Sequence, residues 1–130
     1  MRDERGMSLI ELLISLLLLS IVSLALIQSA LVAINVNVVN ELRDEAVSVA
    51  EQRMNELRNT PFSASDMQVN SPGGATEAPV MKKVRAAATP FTIKRVVSQV
   101  GVNRQVTLTV TWYYKNVNYQ HSVSTVLGVQ

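Results

Sequence analysis

Residues 7–34, MSLIELLISLLLLSIVSLALIQSALVAI, decide how this 130-residue chain is built. Glu11 is the only ionisable side chain among them, and no charged residue follows until after Asn40. The stretch Leu12 to Ile34 is 23 residues, or about 34 Å as a helix at roughly 1.5 Å per residue. That length crosses a bilayer whose hydrocarbon is about 30 Å thick. A cleaved secretory signal has an apolar core of only about 7 to 15 residues followed by a small-residue cleavage site. Here the run is longer and its charge stands at the front. An ionised carboxylate at hydrocarbon depth costs about 2.5 to 3.5 kcal/mol on insertion scales, so Glu11 needs a cation. Scission between Gly6 and Met7 would create one, the α-amino group of Met7, and would make Glu11 the fifth residue of the mature chain.

Working outward, Arg2 and Arg5 stand just before the apolar run and only Arg43 lies close behind it. This bias keeps the leader in the cytoplasm and puts the C-terminal part in the periplasm. The helix continues past the membrane. Leu42, Ala46, Ala50, Met54 and Leu57 recur at spacings of four and three, while Glu41, Arg43, Asp44, Glu45, Glu51, Gln52 and Glu56 occupy the other faces. Such a stripe makes this half amphipathic. Thr60-Pro61 ends it, because the residue before a proline is driven out of the helical region and proline cannot continue the hydrogen-bond ladder. A single helix of roughly 50 residues and about 75 Å is expected. No Pro or Gly falls between Met7 and Thr60, so no fixed kink is predicted. Within the run, Ser15, Ser20 and Ser23 read as small residues that let helices approach, and Gln28 with Ser29 as hydrogen-bonding groups at membrane depth.

Ser63 to Pro79 shifts to loop chemistry, including Ser71-Pro72-Gly73-Gly74. Beyond Phe91 the period becomes two. Val106, Leu108, Val110 and Trp112 alternate with Gln105, Thr107, Thr109 and Thr111 in the clearest strand. Phe91 to Val97 reads as an earlier strand, Gly101 to Asn103 as a turn, and Tyr119 to Val126 as a third strand after a turn near Lys115 to Asn118. The result is an antiparallel meander of three or four strands, whose apolar face covers the stripe from Leu42 to Leu57 in an α+β layer arrangement.

Composition excludes several classes of function. There are no cysteines, which removes disulfides, thiol catalysis and cysteine metal sites. Net charge is +2 overall, and residues 36–130 hold ten Lys/Arg against seven Asp/Glu. No basic patch is interleaved with aromatics as a nucleic-acid platform requires, so no nucleic-acid partner is expected. His121 is the only histidine, and a lone strand histidine is a packed or surface residue more often than a base or ligand. No phosphate loop, metal-ligand spacing or nucleophile elbow occurs. Neither an enzyme nor a cofactor is expected. Tyr113, Tyr114 and Tyr119 gather beside Trp112 near the last turn, as a docking surface or as ordinary half-buried sheet residues.

A short charged leader ending in Gly6, then Met7 and Glu11, resembles the class III signal of type IV pilins and of the pseudopilins of type II secretion. Met7 and Ser8 stand where Phe and Thr are commonest. The stretch from Ala46 through Glu51, Arg53 and Glu56 to Arg58, with the strand Val106 to Trp112, resembles PilV-type minor pilins and the I-type minor pseudopilin. The resemblance implies the type IV pilin-like fold and three parts: a leader cleaved at 1–6, an assembly helix at 7–35, and a globular pilin domain at 36–130. It implies a prepilin peptidase that cuts after Gly6 and methylates Met7, with Glu11 pairing charge during assembly. The implied partners are major and minor pilins, an inner-membrane assembly platform and the lipid bilayer. The chain would wait in the inner membrane and then enter a cell-surface filament, in initiation or at the tip. The alternatives are a minor pseudopilin of type II secretion and, in another class, an uncleaved membrane-anchored periplasmic binding module.

Overall fold

A computed structural model describes residues 4–128, the side chains from Ser8 onward. The expected leader residues Met1 to Asp3 lie outside the described residues, as do Val129 and Gln130. The chain forms two units, Met1–Val38 and Val39–Gln130. One helix, α1 (Glu4–Arg58, 55 residues), supplies the first unit's described structure and the helical layer of the second. It ends as its last carbonyls find side-chain donors: Thr60 Oγ1 donates to the Glu56 carbonyl (2.8 Å) and Asn59 Nδ2 to that of Asn55 (3.0 Å). Arg58 in the final turn meets the negative end of the helix dipole.

In the second unit a loop containing a short 3-10 helix, Ser65–Met67, leads to five strands: β1 (Ala75–Thr76), β2 (Val80–Val84), β3 (Ala87–Val100), β4 (Asn103–Tyr114) and β5 (Val117–Leu127). The sheet is antiparallel throughout, in the order β1-β3-β4-β5, with β2 also pairing β3. It therefore has more strands than the three or four expected, because β1 and β2 add a flank to β3 and β3 begins well before Phe91. The turns are tighter than expected. Two residues join β3 to β4 and two join β4 to β5, as the pairs Val100↔Asn103 and Tyr114↔Val117 show. Lys115 (φ 48°) and Asn116 (φ 63°) both adopt the left-handed conformation that a two-residue hairpin of this twist demands.

The expected helix stripe and strand alternation meet in one core. Leu42, Ala46, Ala50, Met54 and Leu57 are buried along α1 together with Val49. Val106, Leu108, Val110 and Trp112 are buried on β4, with Phe91, Ile93 and Val97 on β3. Trp112 lies between Phe91 (ring centroids 6.0 Å apart) and Tyr119, its cross-strand partner, which stacks on it at 5.8 Å. Met67 from the loop is fully buried as well. Removing the Leu108 side chain to Ala is expected to cost about 2–5 kcal/mol through lost burial and the cavity left behind.

Every buried apolar residue of this core lies between Leu42 and Trp112, so residues 36–130 alone should fold. Circular dichroism of that fragment should show mixed helix and strand signal with a cooperative melt. A fragment that is unfolded, or that orders only with a partner, contradicts a self-sufficient core.

Candidate functional site

From Leu9 to Ile34 the apolar side chains of α1 are exposed on all sides of the helix: Leu9, Ile10, Leu12, Ile14, Leu18 and Leu19, which point around its whole circumference, are each more than half accessible. A helix that is apolar all round is stable only in lipid or packed among other helices. Fully burying one Leu or Ile is worth about 1.5–3 kcal/mol, so this surface commits tens of kcal/mol to some apolar neighbour. Among the described residues α1 is the one helix long and apolar enough to cross a membrane.

The polar groups of the segment fall into two kinds. Ser20 and Ser23 donate to the carbonyls of Leu16 and Leu19, each at 2.8 Å. Their hydroxyls are thus satisfied within the helix, as an apolar environment requires. Glu11 is exposed, and no ion pair among the described residues involves it. Gly6 and Met7 belong to α1, and the Met7 side chain lies outside what the structure describes.

A second constellation escapes the sequence reading. At the end of α1, Arg53 holds three carboxylates: Nε donates to Glu77 (2.8 Å), Nη2 to Asp66 (2.6 Å) and Nη1 to Glu56 (2.9 Å). Arg95, 6 % exposed on the inner face of β3, donates Nη1 to the same Glu77 and pairs with Asp66 at 3.4 Å. Hydrogen bonding by Glu77 foremost, then Glu56 and Asp66, raises the Arg53 pKa further above its ordinary value. The bond from Arg53 holds the Asp66 carboxyl below its ordinary value, with Arg95 adding to the effect. These contacts tie the helix, the 61–79 loop and the sheet together. Asn70 works alongside them, accepting from the Val97 amide at 2.7 Å. Gly74 (φ 72°) brings the loop so close to β3 that a Cβ would lie 2.9 Å from the Arg95 carbonyl oxygen. Arg104 closes the loop's start, donating to the carbonyls of Phe62 and Met67 and covering the Phe62 ring at 4.8 Å.

The signal for the buried arginine stood in the alternation itself. Phe91, Ile93, Arg95 and Val97 occupy one face of β3, and a charge at such a position requires carboxylates brought from elsewhere. The remaining expected features are dispersed. His121 is half-buried in β5 opposite Val110. Tyr113 is exposed, whereas Tyr114 and Tyr119 are half-buried, so the tyrosines form no single surface. No group of metal-ligating side chains gathers among the described residues.

Residues 1–27 match the family model for the prokaryotic N-terminal methylation motif. No curated protein and no solved structure matches the chain. The motif supports a precursor of the type IV pilin and pseudopilin class that a prepilin peptidase processes, and a structural role in preference to an enzymatic one. The apolar helix and the motif together point to membrane anchoring.

The ion cluster makes two testable statements. Glu77→Gln deprives buried Arg95 of its main counter-ion and should destabilise the 39–128 unit by about 2–3 kcal/mol. Asp66→Asn, at a more exposed carboxylate, should cost less than about 1 kcal/mol. Because the folded-state pKa of Asp66 is depressed, its contribution is complete above the ordinary carboxylate value of about 3.9 and disappears as pH falls through the folded value. Arg53, raised, contributes at every pH near neutrality. Denaturant unfolding between pH 7 and pH 2 should therefore show stability falling below about pH 4, with a shallower fall for Asp66→Asn. Equal slopes would show that Asp66 is not linked to folding.

Proposed function

We propose that this chain is a structural minor pilin that acts by inserting its N-terminal helix into a type IV pilus, in initiation or at the tip. The observation that carries the reading is the methylation motif over residues 1–27, continuous with a helix that is apolar on every side and led by one carboxylate, Glu11. Cleavage after Gly6 leaves the α-amine of Met7 on the same helix as Glu11, four residues away. Residues so spaced are neighbours on a helix surface. In the monomer the two charges can neutralise each other in the membrane, and in a filament the carboxylate can instead meet the amine of an adjacent copy. The apolar surface then changes partners from lipid to other helices without ever facing water. Methylation of Met7 leaves its charge in place.

A minor pseudopilin of type II secretion uses the same helix, the same charge pair and the same processing. The stretch from Ala46 to Arg58 and the strand ending at Trp112 serve either assignment, and the neighbouring genes separate them. An uncleaved anchor differs at the N-terminus.

Mass spectrometry of the protein recovered from membranes is expected to find Met7 first and methylated. Intact Met1, or cleavage elsewhere, ends the pilin reading. Gly6→Leu should leave full-length precursor in the membrane, because a side chain at the cut obstructs the peptidase. With Glu11→Gln, insertion and cleavage should persist, since losing a buried charge makes the segment cheaper to insert. The variant's share of sheared filaments relative to the membrane pool should fall sharply, because the charge-assisted contact that sets axial register is gone. Equal incorporation of Gln and Glu at matched expression would remove Glu11 from the assembly step.

A further inference from the structure

The chain has no cysteine, so its methionine thioethers are the side chains that can take up an oxygen atom and give it back. The second unit sorts its three by access. Met81 on β2 is 59 % exposed, whereas Met54 on α1 is 2 % exposed and Met67 in the loop 0 %. Equal burial is not equal protection, because local opening costs far less than unfolding where few contacts hold a segment. Met54 sits inside the hydrogen-bond ladder of a 55-residue helix; Met67 closes a 3-10 helix of three residues.

Met67 is what the loop contributes to the core. Between Leu57 and Val84 no other apolar side chain is fully buried among the described residues. No strand ladder joins residues 61–74 to the sheet, and their ties to it are polar. Arg104 donates to the carbonyls of Phe62 and Met67, and the amides of Asn70 and Ser71 donate to the Val97 carbonyl at 3.0 and 3.1 Å. Asp66, next to Met67 in sequence, is held by Arg53 at 2.6 Å and Arg95 at 3.4 Å, and Glu77 bonds both arginines. The Asp66 carboxylate is 41 % exposed, so water competes for this closure where it does not for the sheet. An oxygen atom on the Met67 sulfur has no place in the closed domain. The sulfoxide is polar, and in an apolar core its oxygen would lack a hydrogen-bond donor.

We propose that Met67 is a gated oxidation site: a peroxide oxidant reaches its sulfur when the ion pairs of Asp66 with Arg53 and Arg95 open, and the sulfoxide then keeps the loop from closing. With hydrogen peroxide, a sulfur lone pair attacks one peroxide oxygen, the O–O bond breaks, an S–O bond forms and the other oxygen leaves as water. Sulfur gives up two electrons and the peroxide takes them. A thiol-dependent sulfoxide reductase reverses the change, two thiols becoming a disulfide while the oxygen departs as water. Met81 takes the same oxygen without a gate. Its sulfoxide stays in solvent, which makes it an internal standard for the rate. The site lies within the 39–128 unit and does not depend on the filament reading.

Hydrogen peroxide added to the full chain in detergent, with each methionine followed by tandem mass spectrometry, tests this. Met81 should gain oxygen first, and Met67 at least about tenfold more slowly. Glu77→Gln should speed Met67 about tenfold or more beyond any gain in hydrogen exchange at the β4 amides, which report opening of the whole sheet. If that variant loses β4 protection altogether, Asp66→Asn is read in its place, with Met67 gaining on β4 by about threefold. In a Met81→Leu chain carrying the Met67 sulfoxide, the amides of Asn70 and Ser71 should exchange at least about tenfold faster than before oxidation, with β4 still protected. Treatment with the reductase should slow them again. Met67 oxidised as fast as Met81, or only in step with β4 exchange, overturns the proposal. So does a Met67 sulfoxide that leaves the Asn70 and Ser71 amides protected.

Discussion

The structure depends on one constraint, that α1 must satisfy two different solvents with a single backbone conformation. From Leu9 to Ile34 the helix carries apolar side chains on every face, and the hydroxyls of Ser20 and Ser23 close onto carbonyls one turn back. From residue 39 the apolar residues contract to one stripe and charges take the remaining faces. The same hydrogen-bond ladder serves both halves. What changes is only which atoms surround it, and that change makes one half a lipid or bundle element and the other the floor of a globular domain.

Both halves of α1 were legible in the sequence because each has an unmistakable pattern, a continuous apolar run and then a three-four repeat. β4 was legible for the same reason, with Val106 to Trp112 alternating without a fault. The front of the sheet was not. Met81-Lys82-Lys83 in β2 has no apolar alternation, and the first residues of β3, Ala87 to Pro90, are small or include a proline, a poor strand former. Both are held by pairing with each other. The hairpins were expected too long because Val102, Lys115 and Asn116 read as generic turn or strand residues, whereas the left-handed backbone at Lys115 and Asn116 follows from strand twist. Of the candidate site, the motif around Gly6, Met7 and Glu11 was written in the sequence, and the ion cluster was not, since it joins residues up to 42 positions apart, from Arg53 to Arg95.

That cluster holds the loop in a chain that has no cysteine. Two guanidinium groups and three carboxylates, Glu77 bonded to both arginines, fix the loop from Phe62 to Ala78 without covalent chemistry. Such a clamp depends on complete pairing, because a buried charge left alone costs more than the pair contributes. Arg104 and Asn70 extend the same logic to neutral carbonyls and amides of the loop and β3.

Trp112 gives the domain an optical property of its own. It is the chain's only tryptophan, 2 % exposed, and its ring lies 5.8 Å from that of Tyr119. An indole so enclosed emits as it would in a nonpolar medium, and a tyrosine at that separation passes its excitation to it. Emission colour and tyrosine-to-tryptophan transfer therefore report the state of the helix-covered sheet alone, undisturbed by the membrane half, which contributes no aromatic residue between Ser8 and Val38.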